Sequence, residues 1–467
     1  MGGAGVDRGR RRFGGLLFAA VAVALIAALG VGGVLAYQDG RLNTLICDGD
    51  CGPEAVVPPG GLTDASVALP SRDDPVGGEP DLAAALRAGR AALGDDLLGP
   101  RTGLAVAAVD PESPISSTTD AAFVPASTTK LLTGLAALLT LDPQQRFSTG
   151  VVRDGTTDRI VLRGGGDPYL TDRAPDRPDV RRATLADLAA STATALQRDG
   201  LTSVDLRYDD TLFEGDSDNA AWETSYVAEN VVTPISPLWV DRGVDDNGLH
   251  SRTPARDAAV TFARLLEGEG ITVDTGSLGP LSVPGDPLAT VQSATVSQIV
   301  ESLVRTSDNE TAEVVARQVA LESGEPATFE GGAKAVLDAL STGGIEVGET
   351  TIFDGSGLSR RNRIAPATLV DVVRLAYASG RTAPVVDDLP VSGFSGTLAD
   401  RYDRARAGLV RAKTGTLSGV HSLAGVVLDG SGRPIVFAVM TDDADRANPF
   451  AAQARLDDVV EAIAASG

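Results

Sequence analysis

The chain has 467 residues, of which 43% are hydrophobic, and its net charge is −23. This length predicts two to four domains, and the dispersed acidic charge excludes nucleic-acid binding, which needs clustered Lys and Arg. Two cysteines and two histidines leave little for metal chemistry. A Ser-His-Asp hydrolase would have to use His250 or His421.

The amino-terminal part of the chain predicts a membrane anchor followed by a linker. Residues 13–37 carry no charge and are numerous enough to cross a bilayer. Arginines before them would keep residues 1–12 as a cytoplasmic stub and export the rest of the chain. Residues 38–80 are rich in Pro, Gly and Asp and predict a flexible linker, in which Cys47 and Cys51 form a local disulfide or remain idle thiols. Cleavage behind the apolar segment would instead give a secreted protein.

Residues 81–145 predict a strand and a buried helix. Within them, residues 103–110 resemble a strand, and residues 131–141 are apolar nearly all round, which predicts a buried helix. Ser127 stands before that helix and Lys130 follows three positions later, so both side chains would share one helical face. The same S-x-x-K pattern also fits a serine that merely caps the helix.

Residues 146–290 form the long middle of the chain. A helix-then-strand phrase recurs in and after it at irregular spacing, which indicates local units and not a solenoid. The GGGDPYL segment, residues 164–170, lacks the G-K-[ST] ending of a phosphate loop and predicts a glycine turn.

The S-D-N motif occurs twice, and the second copy is the better candidate. The first, residues 217–219, lies in an acidic loop and predicts a solvated turn. The second, with Ser307 and Asn309, lies between two amphipathic helices, the first of which carries a capping box at Thr295 and Gln298. A rigid helix–loop–helix can aim polar side chains into a cleft.

The carboxy-terminal part, residues 291–467, ends in the most clearly predicted elements of the chain. Three strand-like runs and a final helix capped by Asn448 and Pro449 indicate an antiparallel meander closed by a helix, hence an α+β sandwich. The first run holds a K-T-G-T motif made of Lys413, Thr414, Gly415 and Thr416. Its glycine would let a substrate backbone approach, although an ordinary edge strand has the same appearance.

Lysine is rare in this chain, and its positions support the motifs. Of 40 basic residues only Lys130, Lys334 and Lys413 are lysines, and two of these fall inside the motifs. Nucleotide bias explains a preference for arginine. A desolvated lysine, however, can be neutral at working pH, whereas an arginine cannot.

The ordered set S-x-x-K, S-D-N and K-T-G resembles the penicillin-recognising serine acyl-transferases. The 180 residues from Ser127 to Ser307 resemble the long insertion of the D-alanyl-D-alanine carboxypeptidase/endopeptidase family called class C penicillin-binding proteins, peptidase family S13. The phrases GGGDPYL, FDGSGLSRRNRI and LPVSGFSGTLADRY are also similar to that family, over about residues 80–467. The resemblance implies a penicillin-binding/β-lactamase-like transpeptidase fold, an antiparallel sheet flanked by helices. Residues 81–145 and 291–467 would form this catalytic domain, and residues 146–290 would be a large inserted region of one or two subdomains.

The resemblance also implies a serine acyl-enzyme mechanism on peptidoglycan peptides ending in D-Ala-D-Ala, with β-lactams as covalent inhibitors. Ser127 would be the nucleophile and Lys130 its base, made neutral by burial and by the cation of Lys413. Ser307 would relay a proton to the leaving amine, and Asn309 would hold the substrate amide. The terminal carboxylate would face Lys413, Thr414 and Thr416, and Gly415 would also belong to the substrate-binding residues. Backbone N–H groups of Ser127 and Thr416 would form the oxyanion hole.

No metal or organic cofactor is implied, and His421 is interpreted as a core or rim histidine. Three alternatives remain open at this stage. A serine β-lactamase uses the same motifs, but no E-x-x-L-N follows Ser307 and the long insertion argues against it. A β-lactam or peptidoglycan sensor would need more than a stub of about 12 residues for signalling. A wall-binding scaffold with coincidental motifs does not explain the scarcity of lysine.

Overall fold

The computed structural model describes residues 78–94, 96–175, 180–245, 247–402 and 407–467. The predicted cytoplasmic stub, the predicted membrane segment and nearly all of the predicted linker, including Cys47 and Cys51, lie outside the described residues. Within the described ranges, no helix combines the length and the apolar character that crossing a membrane requires.

Helices and strands are numbered separately along the described chain. The helices are α1 (Leu82–Ala92), α2 (Thr129–Thr140), α3 (Leu185–Arg198), α4 (Pro254–Gly268), α5 (Val296–Thr306), α6 (Asn309–Ser323), α7 (Phe329–Thr342), α8 (Pro366–Ala378), α9 (Pro384–Asp387) and α10 (Pro449–Ala464). The strands are β1 (Thr102–Ala108), β2 (Ser116–Ser117), β3 (Arg146–Arg153), β4 (Arg159–Arg163), β5 (Ser203–Asp209), β6 (Thr272–Asp274), β7 (Pro287–Thr295), β8 (Val410–Leu417), β9 (Val420–Leu428) and β10 (Pro434–Thr441).

The first sheet has the strand order β2-β1-β10-β9-β8 and is antiparallel throughout. Strands β9 and β10 are buried along their whole length because helices cover both faces of the sheet. Leu423 and Val427 of β9 join the core beneath α1 and α10, while Ala424 and Val426 join the core that includes α2 and α8. The predicted meander and the predicted strand near residue 103 are therefore confirmed.

The final helix α10 begins at Pro449 with Asn448 at its N-cap position, as the sequence predicted, but the side chain of Asn448 does not cap the helix. Its amide donates instead to the carboxylate of Asp445, at 2.7 Å. A local acceptor three residues away has replaced the helix as partner of this side chain.

The second sheet has the order β6-β5-β4-β3-β7 and lies within residues 146–295. The pairs β4–β5 and β5–β6 are parallel, and α3 and α4 provide the long connections that parallel neighbours need. Two of the recurring helix-then-strand phrases are these α3–β5 and α4–β6 units. The third was predicted wrongly, because residues 343–365, between α7 and α8, form no strand of either sheet, and Ile345 packs into the hydrophobic core instead.

The GGGDPYL segment is a tight turn between the second sheet and α6. Gly166 has φ +75°, and a Cβ on Gly165 would lie 1.9 Å from the carbonyl oxygen of Ser148. The amide of Gln318 on α6 donates to the Gly165 carbonyl at 2.9 Å. The glycines thus allow close packing, as the predicted glycine turn requires.

Helix α2 lies at the centre of the larger core, and ten of its 12 residues are buried. It contacts α5, α6, α7 and α8, so the predicted buried helix is confirmed. Helix α5 begins with the predicted capping box, in which Thr295 and Gln298 bond each other's backbone. Strand β7 ends at Thr295 and leads directly into α5, which joins the second sheet to the helices around α2.

Candidate active site

Ser127 lies in a 3-10 turn, Ala126–Thr128, immediately before α2. The helix itself begins at Thr129, so Ser127 does not cap it. Ala126 has φ +49°, a costly conformation for a residue with a Cβ. The hydroxyls of Thr128 and Ser422 both donate to the carbonyl of Pro125, at 2.7 and 2.5 Å, and hold the strained turn in place. The Ser127 side chain stays half-buried, at the surface of the site.

Lys130 is fully buried one turn into α2. Its Nζ lies 3.0 Å from Ser127 Oγ, 2.8 Å from Asn309 Oδ1 and 2.7 Å from the carbonyl oxygen of Ser356. Burial lowers the pKa of Lys130 to about 8, and nearby carboxylates, foremost Asp354 and Glu313, oppose this lowering. A measurable fraction of the amine is therefore neutral near neutral pH.

A second lysine–serine pair faces the first. Ser307 ends α5 in the left-handed conformation, with φ +62°. The Nζ of Lys413 on β8 donates to Ser307 Oγ and to the Thr414 carbonyl, both at 2.8 Å. Lys413 is also fully buried, and its pKa is lowered well below the ordinary value, first by burial and then by repulsion from Lys130. The sequence predicted that this repulsion would lower the pKa of Lys130, but burial lowers that pKa while neighbouring carboxylates raise it.

Asn309 is the first residue of α6 and connects the site to the middle of the chain. Its Oδ1 accepts from Lys130, and its Nδ2 donates to the carbonyl of Val231 at 3.1 Å. The neighbouring Asp308 caps α6 through Thr311 N at 2.9 Å and accepts a short hydrogen bond from the guanidinium of Arg242. Sequence reasoning missed Val231 and Arg242, since nothing local signals a partner about 70 residues away.

The K-T-G-T motif lies on β8, at the edge of the first sheet. Ala412 N donates to the Pro390 carbonyl at 3.0 Å, away from β9. Because backbone directions alternate along a strand, the N–H groups of Thr414 and Thr416 face the same outer side. The Thr416 side chain is exposed, whereas the Thr414 hydroxyl donates to Thr397 Oγ1 at 2.8 Å.

Gly415 makes room for the turn that carries Ser127. A Cβ at this position would lie 2.2 Å from Ser422 Oγ, 2.5 Å from the Pro125 carbonyl and 3.0 Å from Ser127 N. The sequence predicted that a substrate backbone would use this space. The protein's own turn fills it, and this close approach brings β8 against Ser127.

The first S-D-N copy takes no direct part in this cluster. Ser217 and Asp218 are exposed, and the Ser217 carbonyl accepts from Ile235 N at 2.8 Å. Asn219 is half-buried and donates to the Phe353 carbonyl at 2.6 Å. Asn219 therefore supports the segment that precedes Ser356. The predicted solvated turn is correct for Ser217 and Asp218 but not for Asn219.

The loop around Ser356 is the part of the site that sequence reasoning named only by family likeness. Asp354 is fully buried and accepts from the indole of Trp222 at 2.9 Å and the amide of Asn362 at 2.7 Å. It also accepts from the backbone N–H groups of Gly357 and Ser359, at 3.0 and 2.6 Å. These bonds shape the loop that presents the Ser356 carbonyl to Lys130.

His421 lies on β9 but on the face of the sheet away from this cluster. It is buried, and it points to the side of Leu423, opposite Ser422. Burial lowers its pKa, and the guanidinium of Arg401 lowers it further. The interpretation of His421 as a core histidine agrees with this position.

The chain is similar to known proteins of one family. The chain matches the model of the D-Ala-D-Ala carboxypeptidase 3 (S13) family over residues 89–247 and 245–463. It is 36% identical over 341 residues to a carboxypeptidase of Mycobacterium tuberculosis, covering 70% of this chain and 72% of that protein. It is 29% identical over 419 residues to a D-alanyl-D-alanine carboxypeptidase of Actinomadura, covering 71% and 75%.

A crystal structure with a similar fold is known. The crystal structure of penicillin binding protein 4 from Haemophilus influenzae superposes with a TM-score of 0.66 at 20% identity, over 82% of this chain and 99% of that one. The predicted α+β penicillin-binding fold is thereby confirmed. Since the family match also includes the segments that carry Ser127, Ser307 and Lys413, the chain belongs to the D-Ala-D-Ala carboxypeptidase 3 family, peptidase family S13, and is a serine-type D-Ala-D-Ala carboxypeptidase.

Proposed function

We propose that Ser127 is the nucleophile with which this enzyme cleaves D-Ala-D-Ala ends of peptidoglycan peptides, and that β-lactams acylate the same serine. The observation that carries this proposal is the 3.0 Å contact between Ser127 Oγ and the amine of Lys130, which is fully buried and has a pKa lowered to about 8. A neutral amine at this distance can accept the hydroxyl proton.

In the acylation step, Ser127 Oγ attacks the carbonyl carbon of the penultimate D-alanine while Lys130 takes its proton. The carbonyl oxygen becomes an oxyanion, which backbone N–H groups of Ser127 and Thr416 stabilise. The oxyanion then collapses and the C–N bond breaks, while the proton taken by Lys130 passes through the Ser307 hydroxyl to the leaving amine. D-Alanine departs, and water later hydrolyses the ester to free Ser127 and release the shortened peptide.

Binding groups for the substrate surround this serine. Asn309 Nδ2 uses one hydrogen on Val231, which leaves its second N–H for the substrate amide. Lys413 and the exposed hydroxyl of Thr416 face the terminal carboxylate. Because both burial and Lys130 lower the pKa of Lys413, a bound carboxylate would oppose both effects and favour the ammonium form.

The test is labelling of the full-length protein with a fluorescent penicillin. Wild type should label covalently and Ser127→Ala should not, while Ser217→Ala, in the other S-D-N motif, should label as wild type does. Absent labelling of wild type, or equal labelling of Ser127→Ala, contradicts the assignment. A peptide ending in D-Ala-D-Ala should release D-alanine. Labelling without release would indicate a sensor, and rapid turnover of penicillin a β-lactamase.

We also propose that residues 13–37 anchor the enzyme in the membrane, with the catalytic domain outside the cytoplasm. The charge-free segment and the arginines before it support this orientation. In this proposal residues 38–80 are a linker, residues 81–145 and 291–467 form the catalytic domain, and residues 146–290 are inserted. The full chain should remain in washed membranes, whereas a variant without residues 1–37 should not. Release of both into the soluble fraction would contradict the anchor.

A further inference from the structure

Two consecutive peptide groups, those of Gly355 and Ser356, connect the helices that carry the catalytic side chains. Their carbonyl oxygens accept from α2: Thr133 Oγ1 donates to the Gly355 oxygen and Lys130 Nζ to the Ser356 oxygen, both at 2.7 Å. Their N–H groups point the other way, toward α6. The pair therefore forms a bridge between α2 and α6, which we call the 355–356 bridge.

Glu313 holds the α6 end of this bridge. Both of its carboxylate oxygens lie 3.1 Å from Gly355 N, and Oε1 also accepts from Ser356 N at 2.8 Å. Its side chain is buried, with 1% exposed. It stands four residues after Asn309, on the same face of α6. A buried carboxylate that accepts from successive backbone N–H groups fixes their position strongly.

The bridge fits tightly against α6. A Cβ on Gly355 would lie 2.7 Å from the Ala312 carbonyl oxygen and 2.8 Å from the Ala316 Cβ. The backbone therefore approaches the helix as closely as glycine allows. A displacement of Glu313 would move the bridge and, with it, the oxygen that holds Lys130.

We propose that Glu313 is a positioning residue for acylation, which holds the Lys130 amine against Ser127 through the 355–356 bridge. Its charge also favours the protonated form of that amine. The inference rests on the proposed role of Lys130 as the base. It adds a residue that touches neither the substrate nor Ser127.

The charges around both groups support the electrostatic part of this role. The carboxylates of Asp354, Glu313, Asp308 and Glu310 raise the pKa of Lys130 against the larger effect of burial. Burial, followed by repulsion from Asp354, raises the pKa of Glu313 itself to about 7, while Arg317 lowers it. Removing the charge of Glu313 should therefore lower the pKa of Lys130 and give a neutral amine at lower pH.

The test measures the second-order rate of acylation by a fluorescent penicillin between about pH 5.5 and 9.5, in the full-length protein. Glu313→Gln retains the side-chain size but turns an NH₂ group toward the bridge N–H groups. Its plateau rate should fall about tenfold, the effect of losing a buried charged acceptor. Its acid limb, the range in which the rate falls as the pH decreases, should move to lower pH. Glu313→Asp retains the charge but shortens the reach, so it should lower the plateau without moving the limb.

Two further variants complete the experiment. Glu322→Gln, the same change at an exposed position near the end of α6, should leave both the plateau and the limb unchanged. Thr133→Val removes the α2 bond to Gly355 with little change in volume, and should lower the plateau several-fold without moving the limb. It tests the bridge even where Glu313→Gln does not fold.

The outcomes separate this inference from the proposed function. A wild type that is not acylated contradicts the role of Ser127. A wild type that is acylated, with Glu313→Gln matching its plateau and its acid limb, overturns the role of Glu313. Wild-type rates in Thr133→Val overturn the bridge.

Discussion

At the residue scale, the pKa of Lys130 predicts how acylation depends on pH. A base must be neutral to accept a proton, and with a pKa of about 8 roughly one amine in ten is neutral at pH 7. The acylation rate should therefore rise about tenfold from pH 7 to a plateau above pH 9. Stopped-flow measurement with a penicillin checks this. A rate that is flat over this range would mean that Lys130 is not the base.

Lys130→Arg tests the same residue without a change of charge. Arginine stays protonated in proteins, so it cannot take the proton of Ser127. We expect acylation to fall by about two to four orders of magnitude, the usual contribution of a general base. Lys334→Arg is the matched control, since Lys334 is exposed and pairs with Glu325 and Asp338. Acylation above about a tenth of the wild-type rate in Lys130→Arg would contradict the assignment.

The catalytic residues that lie in short motifs could be predicted from the sequence. The residues that hold those catalytic side chains in place could not. Ser127, Lys130, Ser307 and Lys413 lie in patterns of three or four residues with a distinct chemistry. Glu313 looks like an ordinary helical glutamate, and the Ser356 carbonyl belongs to the backbone, whose role no side-chain pattern reveals. Such contacts join segments that are far apart in the chain, so they follow only from the fold.

At the element scale, the contact between β8 and the Ser127 turn predicts the effect of Gly415→Ala. The added methyl group would meet Ser422 Oγ and the backbone of Pro125, so the strand must move away from the turn. We expect a loss of about 1–3 kcal/mol in the free energy of unfolding, as for other overpacked sites. Acylation should fall at least about tenfold, because a single misplaced oxyanion donor already costs more than this.

Gly268→Ala, at the end of α4, is the matched control, since no atom lies within 4 Å of its added Cβ. It should keep both stability and acylation. Chemical denaturation and penicillin labelling measure the two effects separately. Normal acylation in Gly415→Ala would show that the close packing of β8 against the turn does not matter for catalysis.

The start of a helix could be predicted where the signal for it lies within a few residues, and not where distant contacts determine it. The capping box at Thr295 and the apolar run of α2 predicted their helices, because both signals act within a few residues. The 3-10 turn at Ser127 was not predicted, since distant contacts from Ser422 and Gly415 impose it. The side chain of Asn448 donates to the nearby carboxylate of Asp445 and not to the helix. At Ile345 the expected strand does not form, because this side chain packs into the hydrophobic core.

At the scale of the whole molecule, the middle of the chain supports the catalytic cluster. Val231 and Arg242 fix the start of α6, and Asn219 fixes the backbone beside Asp354. The sequence predicted an inserted region but not its parallel β4–β5–β6 arrangement. Strand pairing between segments about 45 to 70 residues apart depends on which sheet edges meet, and hydrophobic periodicity does not encode this.

The buried ionisable groups also predict how the stability of the whole molecule changes with pH. The pKa values of Asp167, Glu310 and Glu313 are raised to about 7, in each case chiefly by burial. Between about pH 4 and 7 the folded state binds more protons than the unfolded state, so the free energy of unfolding should fall as pH rises. Lys130 acts in the opposite direction: its pKa of about 8 makes the unfolded state bind more protons between pH 8 and about 10.5. Taken together, these four groups should therefore contribute least to stability near pH 7–8.

Asp167→Asn isolates one of these contributions, because asparagine resembles the protonated acid and does not ionise. Asp167 accepts from Tyr169 N at 2.8 Å through Oδ1, and its buried Oδ2 contacts no donor among the described residues. Any constant cost of the new amide is equal at all pH values. Relative to wild type, the variant should therefore gain about 2–3 kcal/mol more at pH 8 than at pH 5. Denaturation at both pH values measures this difference, and an equal effect at the two would show that Asp167 does not keep its proton in the folded state.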